Sequence, residues 1–466
     1  MASLSLLKRF TALALSGLMA FQAVLPASAQ SAKMSFIRDA EIEQVLRDYL
    51  DPLLGAAGLR KGFIRVVLVN DRSFNAFVAD GKRVFVNIGA IMESKTPNQL
   101  IGVLAHEAGH IAGGHLARMR AELDKATAIA VIGTILGGAA VVGAARSGGH
   151  GYGQGNVGTD SAGAIGAILG GTEMARRSLL AYQRGEEQAA DRSALQFLER
   201  TKQSPKGLVE TFERMANDSL FTSTRVDKYT VSHPLPSERV ALLKEEALKS
   251  PYYNAPEAPG RQLKHDMIRA KLFAFTAGQA EVGRRYPAYD TSLPARYARA
   301  IVEYRHGRSD SAQRQIDALI KEQPNNPYFW ELKGQAYLEG AQPQAALAPL
   351  RKAVSIAPNQ ALIRTMLGHA LMATDTPANI DAAIKELANA TSRDPDNYEG
   401  FRYLGQAYAR RGDEGNAALA AAREALIGGQ LQDARRFARR AMPLLPEGSP
   451  AYLAAKDIFE SKPEKN

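Results

Sequence analysis

The second half of this 466-residue chain repeats itself at a fixed interval. Pro324 and Pro358 stand 34 residues apart, with Trp330, Gly334, Tyr337, Ala346, Leu350 and Ala353 between them. The pattern returns as Leu367-Gly368, Leu371, Ala383, Leu387, Ala390 and Pro395, with three extra residues placed around Thr374 to Ala378. Phe401, Leu404-Gly405, Tyr408 and Ala417 start it again; a degenerate copy precedes Pro324 and another follows Leu426. A unit of this length is a pair of helices that cannot bury its own apolar face, so copies must stack. Residues 261–466 are therefore restricted to an all-α solenoid, whose groove offers a surface to peptides or partner proteins.

The first half has a different texture. An amphipathic pattern from Ser35 to Gly55 predicts a helix, and Ile64 to Val69 a buried strand. Phe74–Ala79 and Val84–Asn87 flank Asp80-Gly81, a hairpin signal. Long helices are predicted over Pro97–Arg120 and Met174–Arg200, and the Pro/Gly-containing stretch Ser250–Gly260 separates the halves. With 45% hydrophobic residues the chain can fill more than one core, so residues 30–255 are expected to form an α+β domain ahead of the solenoid.

Composition excludes several classes. The absence of Cys rules out disulfide scaffolds, Cys-ligated zinc ribbons, iron–sulfur clusters, thiol nucleophiles and lipoprotein acylation. A net charge of +10 points to anionic neighbours such as a membrane face; nucleic acid is not expected, because the basic residues are not clustered with aromatics. Lys8-Arg9, the apolar run Phe10–Val24 and the small residues Pro26-Ala27-Ser28-Ala29 read as an export signal over residues 1–29, cut after Ala29, with an uncleaved anchor as the alternative. The mature chain is then periplasmic. Ala126–Ala145 and Ala162–Gly171 are uncharged Gly/Ala-rich runs: a hairpin or plug on the protein, a segment dipping into a membrane surface, a true span, or a mobile loop.

The chemistry centres on His106-Glu107-Ala108-Gly109-His110, inside a helix whose apolar stripe is Ile101, Leu104, Ala105, Ala108 and Ile111. Residues four apart share a helix face, so both imidazoles can address one divalent cation. Glu107 is offset enough to reach a water on that cation without ligating it. A continuing helix would carry His115 about 140° round the axis from His110, off the metal face, which gives it a supporting or helix-end role. In the second long helix Glu186, Glu187 and Asp191 supply carboxylates, and Glu187 and Asp191 share a face. One can bind metal while the other accepts the N–H of a ligating His, or the run can be a solvated acidic face; spacing does not choose between Glu186 and Glu187.

His106-Glu-x-x-His110, followed about eighty residues later by Glu187-x-x-Ala190-Asp191, resembles the gluzincin-type proteases that include the CAAX prenyl and mitochondrial Oma-type enzymes. Asn75-Ala76-Phe77 with Val84-Phe85-Val86 resembles their hairpin, whose edge strand lies over the cleft and binds substrate. The repeats match the tetratricopeptide pattern, and with the export signal and His233-Pro234-x-x-x-x-Arg239 they resemble the periplasmic branch that serves outer-membrane β-barrel assembly. Ala189 stands where that pattern has an acidic residue, leaving the ligand register intact.

The resemblance implies a zincin-like fold, mostly helical with a small β-sheet. It implies one Zn²⁺ on His106, His110 and Glu187, with His233 in a fourth position that shuts the site. Glu107 is then the base that activates water, Asp191 the acceptor behind a ligand, and Arg239 an orienting or oxyanion-contacting group. The implied activity is zinc endopeptidase action on unfolded or misassembled outer-membrane proteins, near the barrel-assembly machinery reached through the repeat groove, with possible chaperone action. The alternative is a gated, nearly inactive protease fold acting as a chaperone or scaffold through that groove.

Overall fold

The computed structural model describes residues 35–60, 62–79, 81–123, 182–221, 229 and 233–461. The expected signal (1–29), the Gly/Ala-rich segment (126–171) and Asp80 of the hairpin turn lie outside these residues. Among the described residues no helix is long and apolar enough to cross a membrane.

A two-residue strand β1 (Phe36–Ile37) precedes α1 (Ala40–Ala56). The helix starts five residues later than the apolar pattern predicts because Asp39, in extended conformation, caps it by accepting from the Ile42 N–H at 2.9 Å. Strands β2 (Arg65–Val69), β3 (Ala76–Val78) and β4 (Arg83–Asn87) follow. β4 runs parallel to β2, with Arg65 opposite Arg83 and Val69 opposite Asn87, and antiparallel to β3, with Ala76 opposite Val86. β3 is thus left on the edge of the sheet.

Helices α2 (Ile88–Glu93) and α3 (Pro97–Gly113) come next. The predicted helix Pro97–Arg120 is in fact two: Gly114 adopts φ 64°, ends α3, and a separate helix α4 covers residues 115–123. Helix α5 (residues 182–200), α6 (Lys206–Phe221) and α7 (Ser237–Leu248) complete the layer. One core unites Leu46, Leu50 and Leu53 of α1, Leu68 and Val86 of the sheet, Leu100, Leu104 and Ala108 of α3, Leu198 of α5 and Phe212 of α6.

Helix α8 (Arg261–Thr276) opens the all-α half. Five helix pairs follow: Leu293–Arg305 with Ser309–Glu322, Pro327–Glu339 with Pro343–Ile356, Ala361–Ala373 with Pro377–Arg393, Tyr398–Arg411 with Glu414–Ile427, and Leu431–Ala441 with Pro450–Glu460. The fold is therefore α+β followed by a tetratricopeptide-type solenoid. The three extra residues of the second clear repeat lengthen its second helix to 17 residues against 14 in the repeat before.

The halves are tied by buried polar contacts on α8, which also feeds apolar residues to both sides: Ile268 and Leu272 to the first core, Met267 and Phe273 to the next. Lys271 Nζ lies 2.8 Å from Asp39 and 3.3 Å from Glu41, and Tyr297 donates to Glu41 at 2.9 Å. Glu331 is buried beside them, its carboxyl pushed up to about 8 by burial, with Lys271 opposing and Asp39 and Glu41 assisting. Further along, Arg38 pairs with Asp394 at 2.5 Å and Gln360 with Gln44 at 2.8 Å, so the repeats reach back to the start of α1.

His265, wholly buried on α8, faces the Ser94 carbonyl through Nε2 at 2.8 Å and the Tyr49 hydroxyl through Nδ1 at 3.3 Å. Burial pushes its pKa down to about 4, against the pull of the Ser94 carbonyl. Between its unfolded value near 6.5 and about 4, the unfolded chain binds a proton that the folded one refuses, so stability falls as pH drops through that window. In chemical denaturation at pH 7 and pH 4.5, wild type should lose roughly 2–3 kcal/mol more than His265→Gln on acidification. Equal losses would dismiss this account.

Candidate metal centre

The H-E-x-x-H residues of α3 lie in the interior, where His106 and Glu107 are fully buried. A close helix contact brings their partners in. A Cβ on Gly109 would sit 2.8 Å from the Ala190 carbonyl oxygen and 3.0 Å from its Cα, so only glycine lets α3 and α5 approach this tightly. That approach delivers Glu187 to the imidazoles.

His106, His110, Glu187 and His233 each present a donor atom, all within 4.8 Å of one another. His106 Nε2 is 3.0 Å from His110 Nε2, 3.3 Å from Glu187 Oε2 and 3.4 Å from His233 Nδ1. Glu187 Oε1 is 3.4 Å from His110 Nε2 and 3.0 Å from His233 Nδ1. Ligand atoms of a tetrahedral ion with bonds of about 2.0–2.1 Å stand roughly 3.3 Å apart, so the spacing fits one zinc-sized cation. The chemistry fits as well, since three imidazoles and a carboxylate are a donor set suited to zinc.

The supporting groups are equally defined. His106 Nδ1 faces Asp191 Oδ1 at 2.9 Å. Arg239 grips Asp191 through Nε and Nη2 at 2.7 and 2.8 Å, and reaches Glu187 and the Pro234 carbonyl through Nη1 at 2.9 and 2.8 Å. These four contacts hold its guanidinium against buried groups of the site. Glu107 offers two buried oxygens without hydrogen-bond partners, one of them 3.5 Å from His233 Nε2. β3 is packed near α3: Ala76 is buried and Phe77 stacks on Phe85 at 5.0 Å between ring centres. Asn75 is buried beside it, and its Oδ1 has no hydrogen-bond partner.

The electrostatics follow from this packing. Burial raises the Glu107 carboxyl above its ordinary range. For Glu187 and Asp191 burial acts the same way but is overcome: hydrogen bonds from His106 and His233 hold Glu187 far below the carboxylate range, and Arg239 and His106 hold Asp191 low. Burial disfavours the charged His106 ring, yet Asp191 and Glu187 raise its pKa to about 9; burial and His106 press His110 far down.

Glu186, the alternative to Glu187, points elsewhere, to His115 and Arg118 at 2.9 and 2.7 Å. Tyr229 escaped notice in the sequence: its ring lies 4.6 Å from that of His233, and its carbonyl accepts the His233 N–H at 2.7 Å. The four-residue spacing was the available signal.

Comparison with known proteins agrees with this geometry. Residues 37–247 match the model of Peptidase family M48, and residues 297–361 and 378–434 that of the Tetratricopeptide repeat. The first part of the chain is thus similar to an M48 peptidase domain and the part behind it to tetratricopeptide repeats. It is similar to the Beta-barrel assembly-enhancing protease of Yersinia pestis, with 25% identity over 412 residues, 86% of this chain and 79% of that one. The Escherichia coli (strain K12) protein of the same name is 24% identical over 409 residues, 85% and 78% of the two chains. The crystal structure of MamA overlaps 34% of this chain and 90% of its own at 24% identity, with a TM-score of 0.27, too slight to carry an argument.

Arg239→Met should leave Asp191 and Glu187 buried without their counter-charge, a loss of about 3–5 kcal/mol. Denaturation of chelator-treated protein checks it; an unchanged midpoint would mean that the clamp contributes nothing to folding.

Proposed function

We propose that this chain is an exported zinc-dependent endopeptidase of envelope quality control, hydrolysing outer-membrane β-barrel proteins that misfold or stall. The observation that carries this reading is the convergence of His106, His110 and Glu187 on one point, with the unbonded Glu107 carboxylate beside it. His106, His110 and Glu187 hold the metal, with Arg239 and Asp191 fixing the Glu187 and His106 side chains. When bound, zinc supplies Lewis acidity toward the scissile carbonyl and lowers the pKa of water at the site. Glu107 takes the proton of the attacking water and returns it to the leaving amine. The edge strand β3, with Asn75, Ala76 and Phe77, pairs with the substrate backbone, a mode that tolerates many sequences. The repeats bring substrates in and contact the barrel-assembly machinery. The protein works in the periplasm, in contact with a membrane surface, without nucleic acid.

A second reading has its own support. His233 shares the ligand cluster and also faces Glu107, so it occupies the place a substrate or water needs. In that reading the site is kept shut and the chain acts mainly as a chaperone or scaffold.

Cleavage of casein or an unfolded β-barrel by wild type, Glu107→Gln and His233→Ala, with zinc measured on each, separates the two. The protease reading expects zinc in all three, cleavage about 10²–10⁴-fold lower in Glu107→Gln, and faster cleavage by His233→Ala. Zinc without cleavage in wild type and His233→Ala favours the chaperone; no zinc in any of them removes the ligand assignment.

A further inference from the structure

We propose that His115 and Glu186 form a relay that positions the metal ligand His110. This rests on the reading of His106, His110 and Glu187 as ligands and adds residues that reading leaves without a role.

The geometry starts from the protons. His110 directs Nε2 into the cluster, 3.0 Å from His106 Nε2 and 3.4 Å from Glu187, so that nitrogen must keep its lone pair for a cation. The ring proton of neutral His110 then sits on Nδ1, and Nδ1 lies 2.9 Å from His115 Nδ1. His110 donates and His115 accepts. His115 therefore carries its own proton on Nε2, which stands 2.9 Å from Glu186 Oε2 and donates to it. Each tautomer is the one its neighbour requires, and the relay ends on a carboxylate. Arg118 fixes that carboxylate through Nη2 at 2.7 Å and Nε at 3.1 Å, and also bonds to the Gly113 carbonyl.

The backbone is built for this contact. A continuous helix would place His115 away from His110, but Gly114 at φ 64° breaks α3 and turns the chain back. Gly113 clears the space: a Cβ there would lie 2.0 Å from His115 Nε2 and 2.3 Å from its Cδ2. His115 is 5% exposed, although it follows directly on a helix end. The two ligand imidazoles are thus backed differently, His106 directly by Asp191 and His110 through His115 by Glu186. Orienting a ligand ring and raising its basicity in this way changes metal affinity by about 10–100-fold.

The test uses the full chain, with Zn²⁺ affinity measured by competition against a chromogenic chelator and the visible spectrum of the Co²⁺-loaded protein as a second readout. His115→Ala should bind Zn²⁺ about 10–100-fold more weakly, shift the Co²⁺ bands, and lower kcat more than it changes KM. His115→Asn, which keeps an acceptor near the Nδ1 position, should recover most of the affinity, and Glu186→Gln should lose an intermediate amount. Zn²⁺ affinity within about twofold of wild type in His115→Ala, with unchanged Co²⁺ bands, overturns the relay. If His115→Ala fails to fold, Glu186→Gln decides, and unchanged affinity there also overturns it. His110→Ala separates this from failure of the underlying reading: if it too binds Zn²⁺ like wild type, the ligand assignment falls and the relay with it.

Discussion

Three imidazoles and three carboxylates crowd one buried pocket, and so many lone pairs withdrawn from water can be tolerated only if positive charge is set among them. Arg239 supplies part of it from α7, closing on Asp191 and Glu187 at once. The four clustered donors could coordinate a cation that supplies the remainder. The surrounding architecture serves this electrostatic demand. Gly109 lets α5 come close enough to α3 for Glu187 to arrive, His233 comes from the segment ahead of α7, and Arg239 from the first turn of that helix. The apolar core beneath, from Leu104 to Phe212, keeps the pocket dry and so makes each of these pairings matter.

Much of this arrangement was legible in the residues, for a physical reason. Helix periodicity places His106 and His110 on one face wherever α3 packs, so their meeting needed only a helix. Glu187 and His233 are different: they lie 77 and 123 residues beyond His110, and only a family pattern could pick them from equally spaced neighbours. Once α5 is in place the choice between Glu186 and Glu187 is a matter of rotation about that helix, Glu187 facing His106, His110 and His233 and Glu186 facing His115. His115 lies outside the ligand cluster, as its position predicts, but the uninterrupted helix assumed in that reading is broken at the Gly113-Gly114 pair. Adjacent glycines are a visible warning of a helix end, but the direction the chain takes afterwards is set by packing.

What stayed out of reach was long-range polar pairing. Nothing local in Lys271, Glu41 or His265 announces that they will be buried together or against Ser94; each reads as an ordinary residue of an amphipathic helix. The repeat period made the solenoid evident and placed its three extra residues around Thr374 to Ala378, but a period does not say whether a loop or a helix takes them up. The structure puts them in the helix Pro377–Arg393, where nearly one further turn is added without disturbing the stack.

The polar knot around Lys271 bears on how the molecule comes apart. Stacked repeats are ordinarily free to unravel from either end, each unit held only by its neighbours. Here the first repeat is bonded through Tyr297 to Glu41 of the first domain, and α8, whose Lys271 pairs with Asp39 and Glu41, donates side chains to both cores. Unwinding from that side would strip buried charges from their partners, whereas the Leu431–Ala441 and Pro450–Glu460 pair has a neighbour on one side alone. The solenoid is thereby polarised: it has a clamped end that melts with the first domain and a loose end that frays first.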